Sequence, residues 1–202
     1  MTDFKFTKDW FHWAPEVWER LVPMLPERGR FLELGAYEGR STAWIVENML
    51  EDGGVLVSVD TWEGAEEHKD DGIDMGAVER NYDHNVKLLT KKYPKRTVMK
   101  YKMTSYEGLT LLAGSPYQAG VPQFDFIYID ASHTAPDVLM DACVAWPLLK
   151  DNGVMVFDDY LWGDQRDVLR RPKLAVDAFT NIFAEHLKPM HTGYQYIVRK
   201  EK

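Results

Sequence analysis

The sequence predicts an α/β fold in three layers, with a mostly parallel sheet held between helices. Three observations predict it. Short, mainly apolar runs bounded by turn residues recur along the chain, as at residues 30–34, 55–59 and 124–129, and such runs read as strands buried on both faces. Helical patterns alternate with them from residue 30 onward, which is the signature of repeated strand–helix–strand units. Two of the runs stop abruptly in acid, at Asp130 and at Asp158-Asp159, and ligands of open α/β sheets bind just beyond strand ends of this kind.

The elements follow in order. Residues 1–29 differ in kind from the rest: Trp10, Phe11, Trp13 and Trp18 lie among Pro15, Pro23 and Pro26, which predicts a short helical cap packed on the sheet and leaves 30–202 as the main domain. Residues 30–34 form a first strand and 35–39 a turn, and Ser41 or Thr42 starts a helix that runs to near Leu50. Gly53-Gly54 breaks the chain before a second strand, 55–59, which ends at Asp60. A polar segment, 63–76, leads into a helix at 77–93 that Pro94 closes. Residues 97–100 are a third strand, 105–113 a short helix, 114–123 a loop and 124–129 the fourth strand. Pro136 suits a first helical turn and opens a helix to near Leu149, distorted at its end by Pro147. Asn152-Gly153 turns the chain into a fifth strand, 154–157. Ala175, Phe179, Ile182 and Phe183 mark an amphipathic helix from Pro172 to near Leu187, and 194–198 alternates as a closing strand.

A chain of 202 residues with a 45% hydrophobic fraction supports one sizeable core. Its net charge of −8, from 32 acidic and 24 basic side chains, argues against broad binding to nucleic acid or an anionic membrane. The locally basic run Lys87, Lys91, Lys92, Lys95, Arg96, Lys100 and Lys102 reads as a solvated helix face and loop. Cys143 is the single cysteine; it can form no internal disulfide, and its apolar helical surroundings predict a core residue. No signal peptide or membrane-spanning run is read. The expectation is a soluble, cytoplasmic protein, with a homo-oligomer left open.

Chemistry concentrates at the strand ends. Asp130, Asp158 and Asp159 are three carboxylates converging on one sheet edge, and like charges repel unless a counter-ion sits among them, so a hard divalent cation is the natural occupant. At the other end, Glu33-Leu34-Gly35-Ala36-Tyr37-Glu38-Gly39 joins the first strand to the first helix. Its glycines allow a ligand to approach the backbone, and the helix start supplies unpaired N–H groups. Asp60, about twenty residues on, stands where an acid takes the hydroxyls of an adenosine ribose. This pairing fits a dinucleotide or S-adenosylmethionine. Tyr37 occupies the middle glycine position of the dinucleotide turn, and Glu33 and Glu38 bring negative charge, which suits a cationic sulfonium and ammonium better than a pyrophosphate.

The run Leu32-Glu33-Leu34-Gly35-Ala36-Tyr37-Glu38-Gly39-Arg40-Ser41 resembles the first motif of class I S-adenosylmethionine-dependent methyltransferases, in the version of catechol O-methyltransferase-like enzymes. The further order of Val59-Asp60-Thr61-Trp62-Glu63-Gly64, Tyr128-Ile129-Asp130-Ala131-Ser132-His133, Trp146-Pro147-Leu148-Leu149, residues 153–160 and Ala175-Val176-Asp177-Ala178-Phe179 is similar to metal-dependent macrolide- and aminocoumarin-sugar O-methyltransferases. The likeness covers roughly residues 30–200. It implies a Rossmann-like sheet of seven strands and a transfer of methyl from S-adenosylmethionine to a hydroxyl of a small molecule, whether sugar, diol or phenol.

Carried over residue by residue, the resemblance places Glu33, Gly35 and Gly39 at the methionine part of the cofactor, with Ala36, Tyr37 and Ser41 of the same motif beside it. Asp60 would hold the ribose and Ser105 lie near adenine, with Thr61 and Trp62 adjoining; Met103-Thr104-Ser105 departs from the Gly-x-Ser of the catechol group. Asp130, Asp158 and Asp159 would be ligands of Mg²⁺ or Mn²⁺, with Asp130 also at the cofactor. His133 stands where catechol-type enzymes carry a lysine; an imidazole can take a hydroxyl proton near neutral pH, and Asp130 is the rival base. His12, His68, His84, His186 and His191 show no metal spacing and read as surface or packing residues. Glu63, Glu66, Glu67, Asp70, Asp71 and Asp74 make a solvated loop without a Ca²⁺ pattern; Gly64, Gly72 and Gly76 within it allow a second reading as a lid over the cofactor. Arg166, Arg170, Arg171 and Lys173 offer charge for an anionic acceptor, against plain solvation of a helix flank. Two rival classes stay open: an NAD-dependent oxidoreductase, which gives no reason for the acidic cluster, and a cofactor-binding protein without catalysis, which needs neither the cluster nor His133.

Overall fold

In chain order the elements are α1 (Ala14–Trp18), β1 (Arg30–Leu34), α2 (Arg40–Asn48), β2 (Val55–Asp60), α3 (Met75–Lys92), β3 (Thr97–Lys102), α4 (Ser105–Ala113), β4 (Phe124–Ile129), α5 (Ala135–Ala145), β5 (Leu149–Phe157), α6 (Pro172–Ile182), β6 (Leu187–Thr192) and β7 (Tyr196–Lys200). The computed structural model describes residues 3–65, 68, 71–114, 123–163 and 167–202. The strands form one seven-stranded sheet in the order β3-β2-β1-β4-β5-β7-β6. β1 to β5 run parallel, while β7 pairs antiparallel with β5 and β6 with β7. The carboxyl ends of all five parallel strands therefore open on one edge.

Side chains alternate across the sheet with the period of two that a pleated strand imposes. Leu32, Leu34, Ile127, Ile129, Met155 and Phe157 pack on one face, beneath α4, α5 and α6. Phe31, Phe126, Tyr128, Val154 and Val156 pack on the other with α2 and the N-terminal residues Phe11, Trp18 and Leu21. Both faces are covered, which is why these strands read as apolar runs rather than alternating ones.

The structure departs from expectation at several places. Asn152-Gly153 does not turn the chain into β5 but lies inside it: Asn152 takes a left-handed φ of 64°, and the β4–β5 register shifts between Phe124 and Phe126, so the pair forms an irregularity that β5 runs through. The helix expected to reach Leu149 ends at Ala145, with a 3₁₀ turn at Trp146–Leu148 around Pro147. The helix expected to reach Leu187 ends at Ile182, because β6 begins at Leu187. β6, of sequence Leu-Lys-Pro-Met-His-Thr, carries no strand signal; its proline is tolerated because the strand lies at the sheet edge. Cys143 is exposed rather than core, since α5 turns that side outward. The basic run is largely paired locally, Lys100 with Glu79 and Asp83, Lys102 with Glu79, Lys92 with Glu47 and Lys95 with Asp52. Among the described residues no helix is long and apolar enough to cross a membrane.

Candidate functional site

A cavity of about 770 Å³ lies along the carboxyl edge of the sheet, within the size range of small-molecule sites. Its β1 end is shaped by the turn at residues 35–39. Gly35 donates its N–H to the Val59 carbonyl at 2.8 Å and holds φ at +82°, and a Cβ there would sit 2.0 Å from the Asp130 carbonyl oxygen. Glycine is thus required because the turn crosses directly over the end of β4. Asp60 organises the same turn: Oδ2 accepts from the N–H groups of Ala36 (2.8 Å) and Tyr37 (3.0 Å), and Oδ1 from Trp62 N–H (2.7 Å). A carboxylate offers about four lone-pair sites, so Asp60 keeps capacity for a ligand hydroxyl while holding the turn.

The expected cofactor residues divide between wall and support. Gly35, Ala36, Tyr37, Ser41, Asp60, Thr61, Ser105 and Asp130 line the cavity. Glu33 does not: it is fully buried behind the turn, where Ser41, Thr42 and Ser58 donate to it at 2.6, 2.6 and 2.7 Å. Burial raises its pKa despite those hydrogen bonds. Gly39 packs under the Tyr82 ring as the left-handed residue before α2. Trp62 is core, its ring tilted against that of Tyr82, and donates from Nε1 to the Tyr37 carbonyl at 2.8 Å. At the far end of the cavity, Ser105 opens α4, whose capping box joins Thr104 and Glu107.

The other end gathers the acids. Asp130, His133 and Asp159 each offer a ligand atom, all within 4.8 Å of one another, and His133 Nε2 lies 2.6 Å from Asp159 Oδ2. Asp159 takes a left-handed φ of 54°, which re-aims its side chain beside His133. Asp158 lines the same cavity but is not in that cluster. Its carboxylate accepts from the Tyr128 hydroxyl, from Gln195 Nε2 at 3.1 Å and from the Asp159 N–H at 2.8 Å. The Tyr128 hydroxyl also lies 2.9 Å from Asp130 Oδ2, and Trp18 Nε1 donates to Gln195 at 2.7 Å. Burial, then repulsion by Asp158 and Asp159, raises the Asp130 carboxyl well above the carboxylate range. Burial and Asp159 push Asp158 up to about 6. Concentrated negative charge of this kind is relieved by a proton or a cation.

The N-terminal segment roofs the cavity with Lys8, Trp10, Phe11 and Trp13. Thr7 donates to Glu38 from its N–H (2.5 Å) and its hydroxyl (2.9 Å), and Lys5 N–H donates to Asn85 at 2.8 Å. Trp10 packs against Tyr37 and His68, and Trp13 against Tyr194. Of the acidic segment, Glu63 and Asp74 are exposed and Asp71 and His68 reach the cavity, while Glu66, Glu67 and Asp70 lie outside the described residues. Arg166 does too; Lys173 pairs with Asp177 at 2.5 Å and Arg170 with Asp167 at 3.9 Å.

Sequence reasoning missed Tyr128, Gln195 and Asp141. Tyr128 was findable, since it lies two residues before Asp130 and so shares its face of the strand. Gln195 sits between β6 and β7 and carried no signal. Asp141, in α5, accepts from the Ser105 hydroxyl at 2.7 Å; an acid in a helix pattern reads as solvated.

Residues 32–160 match the family model described as a methyltransferase domain. No curated protein matches the sequence. Among solved structures, an O-methyltransferase from Bacillus cereus in complex with SAH is similar at a TM-score of 0.65 and 18% identity, over 99% of this chain and 85% of that one. TomG from Streptomyces achromogenes, an O-methyltransferase of tomaymycin synthesis in complex with SAM, gives 0.61 and 17%, over 100% and 84%. MycE, a methyltransferase of the mycinamycin pathway in complex with Mg, SAH and mycinamycin VI, gives 0.59 and 16%, over 98% of this chain and 51% of that one. At these identities the likeness is one of fold.

Proposed function

The chain belongs to this family of methyltransferase domains, and we propose that it transfers a methyl group from S-adenosylmethionine to a hydroxyl oxygen of a small sugar, diol or phenol, with Mg²⁺ or Mn²⁺ at the acceptor. One observation carries the reading: a single cavity joins the Gly35–Asp60–Ser105 row to the Asp130–His133–Asp159 cluster, so a donor and an acceptor lie within reach of each other. The residues fit both groups. The bare Gly35 and the lone pairs of Asp60 suit the backbone-close, diol-bearing donor. The carboxylates of Asp130 and Asp159, with Asp158 on the same wall, suit a divalent cation.

When bound, S-adenosylmethionine supplies an electrophilic methyl on its sulfonium, and the cation supplies charge that lowers the pKa of the hydroxyl. Asp130, Asp158 and Asp159 would hold the cation. His133 takes the acceptor's proton, and Asp159, 2.6 Å from its Nε2, lies beside the imidazolium that results. Tyr128 and Gln195 hold Asp158 and, with it, the β5 end in place. Trp10 and Trp13 cover the cavity against water. Positioning two bound reactants supplies much of the rate. A lone cysteine suits a reducing, cytoplasmic setting.

Calorimetry with S-adenosylhomocysteine and NAD, each with and without Mg²⁺, tests the assignment. Binding of the first alone is expected; tighter binding of NAD would overturn it.

A further inference from the structure

We propose that Asp141 sets the hydrogen-bonding polarity of Ser105, so that this end of the cavity reads the amino edge of adenine and rejects a 6-oxopurine. The inference rests on the cavity being the S-adenosylmethionine site. Ser105 follows β3, two strands from β1 on the side away from β4 and β5. The transferred methyl must lie beside the acceptor, at the Asp130–Asp159 end. The base of the donor then falls at the β3 end, across Asp60, where Met103, Thr104, Ser105 and Met140 line the wall.

The Ser105 hydroxyl donates to Asp141 Oδ1 at 2.7 Å. Asp141 is fully buried and does not line the cavity. Its other oxygen has no hydrogen-bond partner among the described residues. A serine hydroxyl has one proton and two lone pairs. With the proton committed to a carboxylate, which has none to return, Oγ can only accept from a ligand. Its backbone surroundings have the opposite sense: Thr104 caps the Glu107 N–H, and the earlier N–H groups of α4, at Ser105 and Tyr106, have no intrahelical acceptor. The wall therefore offers one acceptor beside donors. Adenine presents an N6 amino donor next to the N1 acceptor, whereas a 6-oxopurine presents an O6 acceptor next to an N1–H donor, so both senses reverse. Burying a carboxylate with an unpaired oxygen carries a cost that a residue serving packing alone would avoid. Asp141 acts through Ser105 and is a positioning residue.

The test is calorimetry of S-adenosylhomocysteine and S-inosylhomocysteine on the full chain, with thermal melts to confirm folding. Wild type is expected to favour the adenosyl ligand by about 100-fold or more. Asp141→Asn can donate its amide to Oγ and release the hydroxyl proton toward O6, so the preference should narrow by about tenfold. Ser105→Ala should narrow it through weaker adenosyl binding alone. An unchanged preference in folded Asp141→Asn overturns the proposal. If that variant does not fold, an unchanged preference in Ser105→Ala overturns it equally. Binding of neither ligand to wild type removes the methyltransferase reading as well, so the two failures are distinguishable.

Discussion

His133 Nε2 lies 2.6 Å from Asp159 Oδ2, which ties the loop after β4 to the left-handed residue after β5 across the carboxyl edge of the sheet. The pairing sets the imidazole beside a carboxylate on the cavity wall.

His133→Ala is therefore expected to lower kcat by ~10²–10⁴-fold with Mn²⁺ affinity nearly intact, and higher pH should partly restore the rate. Steady-state kinetics beside Mn²⁺ calorimetry checks it. A parallel loss of Mn²⁺ affinity would make the imidazole a ligand and pass the base role to Asp130.

Removing the cation with a chelator should abolish methyl transfer, and Mg²⁺ or Mn²⁺ should restore it. Asp159→Asn should be inactive in their presence while still binding S-adenosylhomocysteine. Asparagine is the better probe than alanine, because φ at Asp159 is 54° and asparagine tolerates that region. Full turnover in excess chelator would remove the cation from the mechanism.

Asp60→Ala should weaken S-adenosylhomocysteine binding by an order of magnitude or more and also lower the melting temperature. Three backbone N–H groups, of Ala36, Tyr37 and Trp62, lose their acceptor together. Weakened binding with an unchanged melt would mean the turn does not depend on this carboxylate.

Gly35→Ala and Gly72→Ala separate backbone conformation from crowding. Both glycines hold positive φ, +82° and +66°, but a Cβ at 35 meets the Asp130 carbonyl at 2.0 Å while one at 72 meets none of the described residues within 4 Å. Gly72→Ala should cost roughly 1–2 kcal/mol, whereas Gly35→Ala should leave little folded protein. Comparable melts for the two variants would contradict the close crossing at β4.

Asp141→Asn has a definite pH signature. Burial raises the carboxyl from its ordinary 3.8 to about 6, so the native state binds the proton more tightly than the unfolded chain. Its contribution is fully present below 3.8 and is lost as pH rises through about 6, a change on the order of 2–3 kcal/mol. The variant should then melt higher than wild type near neutral pH, with the gain shrinking toward acid. A gain independent of pH would show that Asp141 is not ionising in the fold.

The sequence alone determined the sheet from β1 to β4, because buried parallel strands must be short apolar runs and α-helices between them must carry an apolar stripe. It placed Asp60, Asp130, Asp158 and Asp159 at strand ends for the same reason, since acid cannot continue a buried strand. It did not disclose β6, whose pairing to β7 comes from backbone hydrogen bonds that leave no apolar pattern in the sequence. Nor did it disclose how each acid faces. Whether a carboxylate turns to a cavity or to a buried hydroxyl depends on neighbours distant in the chain: Ser41, Thr42 and Ser58 draw Glu33 behind the turn, and Tyr128 with Gln195 draws Asp158. Local pattern specifies which residues reach the sheet edge. Only the packed fold decides which of them meet, because hydrogen-bond partners and desolvation are properties of the assembled interior.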